Sequence, residues 1–312
     1  MTTSAPIDRH QHLFRPSRVR FPYALLIPFL LAVPAPLLGG SQETFTPKHL
    51  AKLRGVSEAK ISPDGKRVAY VLSVPRRLLK ERDGPAWGEL HVVDDTGNSR
   101  AFVSGSVKVS KVDWTPDGHG ISFLTKRTDD KTKSLYVIAA DGGEARKIVS
   151  HETGISGYSW SPDGKQVAFT AKEPPSPQIT KLRKNGFNQQ VFEEDWLPIK
   201  VWISKADLAA PEPDRHKARP LDVTGSASEI HWSPGSGLLG VAMAPTPSVD
   251  DAFMNRKVII IDSESSEVRG NLTPPGKMKS FAWSPDGKHL ALISSADRSD
   301  PMAGRLVVGS AD

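Results

Sequence analysis

Trp160-Ser161-Pro162-Asp163-Gly164-Lys165, with Val167-Ala168-Phe169-Thr170 behind it, is the stretch that decides the fold. Proline presets φ for the first central position of a turn. Aspartate suits the second, and glycine supplies the positive φ from which a return strand starts. The β-branched and aromatic residues that follow suit a pleated, packed surface. Together they read as a turn between two antiparallel strands.

The unit recurs. Ile61-Ser62-Pro63-Asp64-Gly65-Lys66, Trp114-Thr115-Pro116-Asp117-Gly118 and Trp283-Ser284-Pro285-Asp286-Gly287-Lys288 repeat it, and Trp232-Ser233-Pro234-Gly235 is a degenerate copy. Proline to proline, the intervals are 53, 46, 72 and 51 residues. A period near 50, stretched once, is the length of a four-stranded propeller blade. A second strand pair follows each turn, starting from Glu89-Leu90-His91-Val92, Ser134-Leu135-Tyr136-Val137, Lys200-Val201-Trp202-Ile203 and Lys257-Val258-Ile259-Ile260. The sequence therefore predicts an all-β fold, a β-propeller with four-stranded blades in about five repeat units. The recurring tryptophan is expected to pack between neighbouring sheets. Arg305-Leu306-Val307-Val308 reads as a strand of a last blade just before the sequence ends, so the expected ring is partial and open.

Three other segments stand out. Thr46-Pro47 begins a short helix in which Leu50 and Leu53 share a face and Gly55 is the stop. The long interval holds an insertion, residues 173–199, that opens on Pro174-Pro175-Ser176-Pro177 and is expected to project as a loop or hairpin. At the N-terminus, Arg9, Arg15, Arg18 and Arg20 precede an apolar run, 21–38, and then Gly39, Gly40 and Ser41. That order of basic, apolar and small residues predicts a signal peptide over 1–41 and a propeller over 42–312, in the periplasm or secreted. Pro22, Pro28, Pro34 and Pro36 argue against a stable spanning helix, so membrane contact is expected only if the segment stays uncleaved.

The net charge is +6, of which +3 comes from Asp8 and the four arginines before Gln42. The remainder is too small and scattered to be an electrostatic footprint for nucleic acid. The chain has no cysteine, which excludes disulfides, thiolate zinc sites and a cysteine nucleophile. The nine histidines are scattered and form no metal-ligand spacing. Asp64, Asp117, Asp163 and Asp286 recur at one turn position, which turn chemistry explains better than calcium. No metal and no cofactor are expected.

The residues from Thr46 to Tyr70, the Asp141-Gly142-Gly143-Glu144-Ala145 turn and the loop running from Asn185 to Trp196 resemble the N-terminal propeller of prolyl oligopeptidase family serine peptidases, in the dipeptidyl-aminopeptidase and acylaminoacyl-peptidase branch. The resemblance covers roughly 45–312. TolB-like envelope propellers share the bare repeat, which leaves a protein-binding module as the alternative. The family resemblance implies a propeller that gates or binds peptide for an α/β-hydrolase domain, here encoded separately if at all. No Gly-x-Ser-x-Gly elbow occurs in this sequence. Gly154-Ile155-Ser156-Gly157 falls one residue short, and Ser156 is rejected as a nucleophile because no strand–turn–helix surrounds it. No catalytic residue is expected in this chain. The resemblance does imply substrate-binding residues: Glu193 and Glu194 are similar to the glutamate pair that holds a substrate's free amine. Two carboxylates facing a dry cavity suit an ammonium.

Overall fold

A computed structural model describes residues 44–189, 191, 196–206, 218–235, 237–299 and 304–311. It contains five antiparallel sheets, each consecutive in sequence. Blade 1 is β1 (Gly55–Ile61), β2 (Arg67–Val74), β3 (Trp87–Asp94) and β4 (Ser99–Val103). Blade 2 is β5 (Ser110–Trp114), β6 (Gly120–Thr125), β7 (Ser134–Ala139) and β8 (Arg146–Val149). Blade 3 is β9 (Ile155–Trp160), β10 (Gln166–Lys172), β11 (Ile199–Lys205) and the two-residue β12 (Arg219–Pro220). Blade 4 is β13 (Ser226–Trp232), β14 (Leu238–Ala244), β15 (Lys257–Asp262) and β16 (Val268–Leu272). Blade 5 has three described strands, β17 (Met278–Trp283), β18 (His289–Ser294) and β19 (Arg305–Ser310). The β-propeller reading stands.

The period-two alternation of each strand sends its side chains to two different cores. Val167 and Phe169 of β10 face blade 2, where they share a core with its Leu124 and Leu135 and with Ile155 of their own blade. Ala168, between them, faces blade 4 with Val201, Leu239 and Val241. Ala242, next to Val241, joins Val258, Ile260, Phe281 and Leu290 against blade 5. A fourth core, with Val71, Leu90, Trp114, Ile121 and Phe123, joins blades 1 and 2. The apolar core is thus a row of four seams between consecutive sheets.

Each seam has a direction. Trp114 Nε1 donates to the Lys60 carbonyl, 3.0 Å, and Trp283 Nε1 to the His231 carbonyl, 3.1 Å. Trp160 Nε1 donates to Ser122 Oγ, 3.0 Å. The tryptophan at the end of a first strand therefore reaches back to the preceding blade. The turns stack the same way: a Cβ on Gly118 would meet Pro63 at 3.6 Å, and one on Gly164 would meet Pro116 at 3.8 Å. Blade 1 carries Ile61 in place of the tryptophan, and Ile61 is 69% exposed. On the far side of blade 5, Leu306 and Val308 are exposed as well.

The repeat turn is built as its residues dictate. In blade 3, Ser161 Oγ donates to Asp163 Oδ1 at 2.6 Å, Lys165 N donates to the same oxygen at 3.1 Å, and Gln166 N donates to Ser161 Oγ at 2.9 Å. Gly164 takes φ +70°. Ser62-Asp64, Thr115-Asp117 and Ser284-Asp286 repeat the arrangement. The serine hydroxyl, followed by the backbone N–H, holds the Asp163 carboxyl below the ordinary carboxylate range. A depressed native value means the stabilisation is present above the unfolded pKa, about 3.9, and is lost as pH falls through the folded one. Asp163→Ala is therefore expected to lower the urea midpoint at pH 7, and that deficit should narrow at pH 3. A deficit of equal size at both pH values would mean that the ionised carboxylate is not what stabilises the turn.

The degenerate turn shows what the aspartate does. Ser233 N still donates to the Leu238 carbonyl, 2.9 Å, as Ser161 N does to Gln166. Without an aspartate, Ser233 Oγ is buried with no hydrogen-bond partner. The left-handed residue of this turn is Gly235, φ +76°, which stands where the repeat has its aspartate, so Gly235→Asp is expected to cost about 1 kcal/mol instead of restoring the motif. Chemical denaturation checks it, and a gain in stability would show that the blade 4 turn can adopt the repeat geometry.

Three features depart from the sequence reading. Helix α1 (Pro47–Leu50) starts at Thr46 as expected, but Gly55 opens β1 rather than stopping the helix, and Leu50 and Leu53 are both 59% exposed. The insertion 173–199 carries a helix, α2 (Pro177–Lys184). Ser176 Oγ accepts from Ile179 N at 3.2 Å and Pro177 takes the first turn, a start signal that the prolines disguised as loop. A further helix, α3 (Val249–Met254), is capped by Ser248. The N-terminal segment through residue 43 lies outside the described residues.

Candidate functional site

Antiparallel order puts alternate connections at opposite ends of the blades. One end carries the repeat turns, 62–66, 115–119, 161–165, 233–237 and 284–288, uniform in length. The opposite end carries the connections from second to third strands, 75–86, 126–133, 173–198, 245–256 and 295–304, which vary widely and include α2 and α3. Pro63, Asp64, Gly65 and their counterparts thus lie together on the turn face and are structural. Long variable loops on a rigid scaffold are where binding residues concentrate.

The first strands of the blades surround a cavity of about 710 Å³. Its wall bears charge of both signs: Glu58 and Lys60 from β1, Lys111 and Asp113 from β5, Glu229 and His231 from β13, with Arg256 and Lys279 beside them. β-Bulges aim these residues. In every blade the register of the first strand pair slips, at Val56/Glu58, Ser110/Asp113, Thr170/Ala171, Ala227/Glu229 and Met278/Phe281. An inserted residue bends the strand and redirects side chains.

Some of these charges are already engaged. Glu58 Oε2 accepts from Val112 N at 2.9 Å, bridging blades 1 and 2. Glu229 Oε1 lies 2.9 Å from His231 Nε2. Asp113 projects into the cavity and is reached by solvent, yet protein encloses it. That enclosure pushes its carboxyl above the ordinary range, against the pull of Lys60. Tyr158 Oη donates to the Lys111 carbonyl, 2.7 Å, and lies 2.9 Å from Ser122 Oγ, so it ties blade 3 to blade 2. Burial pushes its phenol well above the usual range, which leaves it no role as a base near neutral pH.

Ser156 lies on the cavity wall and is the extra residue of the blade 3 bulge, skipped between Ile155 and Gly157. Serine stands four residues before the Ile or Trp in four blades, as Ser57, Ser110, Ser156 and Ser228. The hydroxyls of Ser57, Ser110 and Ser228 donate across to the Val71, Leu124 and Ala242 carbonyls. Serine at this position is thus a feature of the repeat, which Ser156 shares.

A second cavity, about 440 Å³, opens at the loop face between blades 3 and 4. Lys172, Arg183 and Arg256 surround it, with Trp196, Leu197 and Ile199 supplying apolar wall. Arg256 lines both cavities. Its Nη1 donates to Ser228 Oγ at 3.3 Å and its Nη2 to the Met278 carbonyl. The sequence reading passed over these cations, whose only signal was the excess length of 173–198 and 245–256. Glu193 and Glu194 lie outside the described residues, two to three positions before Trp196. Among the described residues no group of three acidic or histidine side chains could hold a metal, and no helix is long and apolar enough to cross a membrane.

No family model matches the chain, and no curated protein matches it in sequence. Solved structures do match in shape. An acylaminoacyl peptidase from Pyrococcus horikoshii superposes with TM-score 0.57 at 13% identity, over 84% of this chain and 39% of that one. The hydrazine synthase of Kuenenia stuttgartiensis matches with TM-score 0.55 at 19% identity, over 82% of this chain and 71% of that one. The tricorn protease matches with TM-score 0.51 at 12% identity, over 82% and 27%. Proteins with such different names share one architecture, so the likeness identifies the chain as a β-propeller and identifies the fold alone.

Proposed function

We propose that this chain is the substrate-handling propeller of a periplasmic or secreted peptidase of the prolyl oligopeptidase type, binding extended peptide at its loop face. The single observation that carries the reading is the asymmetry of the two ends. Every repeat turn is short and alike, and although the connection 206–218 leaves from the same end, it is the opposite end that carries the longest connection, 173–198, together with α2, α3 and the mouth of the 440 Å³ cavity. The basic, apolar and small residues before Gln42 support export. An α/β-hydrolase domain, in the same polypeptide or on another, is the partner this role requires. The second reading is a TolB-like module that binds a folded protein, which the unspecific repeat supports equally.

Short peptides separate the two. Under the peptidase reading, fluorescently labelled ten-residue peptides bind the purified chain, measured by anisotropy. Under the module reading, only folded partners bind. Within the first reading, Glu193 and Glu194 hold the free amine of the peptide. Glu193→Ala is then expected to weaken free-amine peptides about tenfold, the scale of one charge-assisted hydrogen bond, and to spare N-acetylated ones. Equal loss on both kinds of peptide would remove the amine clamp.

A further inference from the structure

We propose that the cavity at the blade 3–blade 4 loop face is a carboxylate subsite that takes the C-terminal end of a bound peptide. The inference rests on the peptide-binding reading for the identity of its ligand. The chemistry comes from the cavity itself. Lys172 at the end of β10, Arg183 on α2 and Arg256 after α3 come from three separate segments and converge on one space. None of the three forms an ion pair among the described residues, and no carboxylate lines the space among them. Lys172 and Arg183 are exposed and Arg256 is half-buried, with Glu229 offsetting part of its charge; a bound anion offsets the repulsion that remains among the three cations.

Arg256 makes the feature specific. The Met278 carbonyl and Ser228 fix its guanidinium in place, while its Nε is buried and has no hydrogen-bond partner. That buried atom is out of a ligand's reach, so the donors left for one are the N–H groups of the two terminal nitrogens beyond those bound to Ser228 and Met278, and two such donors match the two oxygens of a carboxylate. The surrounding wall is apolar: Trp196, Leu197, Ile199 and Ala252. A lone inorganic anion has no use for that wall, whereas a peptide end with an apolar last side chain fits both halves. The volume, about 440 Å³, lies within the roughly 300–1,000 Å³ of ordinary ligand pockets.

The test uses two pentapeptides of alanine and leucine, both N-acetylated, one a free acid and one an amide, titrated calorimetrically into the whole chain at low ionic strength. Acetylation removes the amine and with it any contribution from Glu193 and Glu194. The free acid is expected to bind at least tenfold more tightly than the amide. Arg256→Gln should collapse that ratio towards one, and Arg183→Gln should reduce it. The second variant sits on an exposed helix, so it keeps the test valid if Arg256→Gln fails to fold. Equal affinity for acid and amide, or a ratio unchanged in Arg183→Gln, overturns the carboxylate subsite and leaves the peptide-binding reading standing. If neither peptide binds, both fall. Inorganic phosphate displacing the free acid at concentrations below those of acetate would also overturn it, since the site would then be one for phosphate.

Discussion

Trp160→Ala is expected to lower the unfolding free energy by about 3–5 kcal/mol, the usual cost of emptying a buried aromatic site. Trp160 is only 8% exposed and lies in the seam between blades 2 and 3, against a core that includes Phe169 and Leu135. Removing its ring leaves a void that two rigid sheets cannot close, so the cavity cost adds to the lost burial. Total stabilities of about 5–15 kcal/mol make this a large fraction. Trp160→Phe separates the two contributions. It keeps most of the apolar area and loses only the indole N–H to Ser122 Oγ. Ser122 Oγ retains the Asp113 carbonyl and Tyr158 as neighbours, so about 1 kcal/mol is expected. Urea titration measures both. An alanine variant that loses less than about 1 kcal/mol would contradict the seam as the main source of cohesion.

Gly240→Val is the complementary experiment, because it fills a seam that is already full. A Cβ at Gly240 would come 2.8 Å from the Phe281 ring and 3.0 Å from Trp283 Nε1. Gly240 lies on β14, in blade 4, and both neighbours belong to β17, in blade 5. The two sheets approach so closely here that only hydrogen fits, and valine must push them apart. The expected cost is about 3 kcal/mol, the upper part of the range for overpacking, since the Trp283 bond to the His231 carbonyl goes with it. The loss should be local. Blades joined only through their neighbours open from the damaged seam, as in other repeat arrays. Amide exchange should show β17, β18 and β19 losing protection while β5, β6 and β7 keep theirs. Uniform loss across all five sheets would mean that the array unfolds as one cooperative unit.

The parts of the fold legible in the sequence are those fixed by local chemistry. Ser161-Pro162-Asp163-Gly164 closes its own hydrogen bonds within six residues, so the turn can be read without its neighbours. The alternation around Val167 and Phe169 is equally local, and the tryptophan announces the seam because it recurs at one position. What escaped the sequence depends on distant partners. The bulges need the register of a second strand, so Ser156 read only as a near miss to a nucleophile motif. Helix α2 hides behind Pro174, Pro175 and Pro177, whose combined signal is that of a loop even though Ser176-Pro177 is a helix start. The cation cavity joins Lys172, Arg183 and Arg256, residues up to 84 positions apart, and no periodicity connects them.

The central claim is that peptide binds on the loop face. Photo-cross-linking tests it most directly, with a ten-residue peptide carrying a benzophenone side chain and the adducts located by mass spectrometry. The account predicts adducts in 173–189, 196–199 and 245–256, together with residues of the innermost strands such as Lys60 and Glu229. Adducts concentrated in the turns at Pro63, Pro116, Pro162 and Pro285, or none above the level of an unrelated control protein, would contradict it.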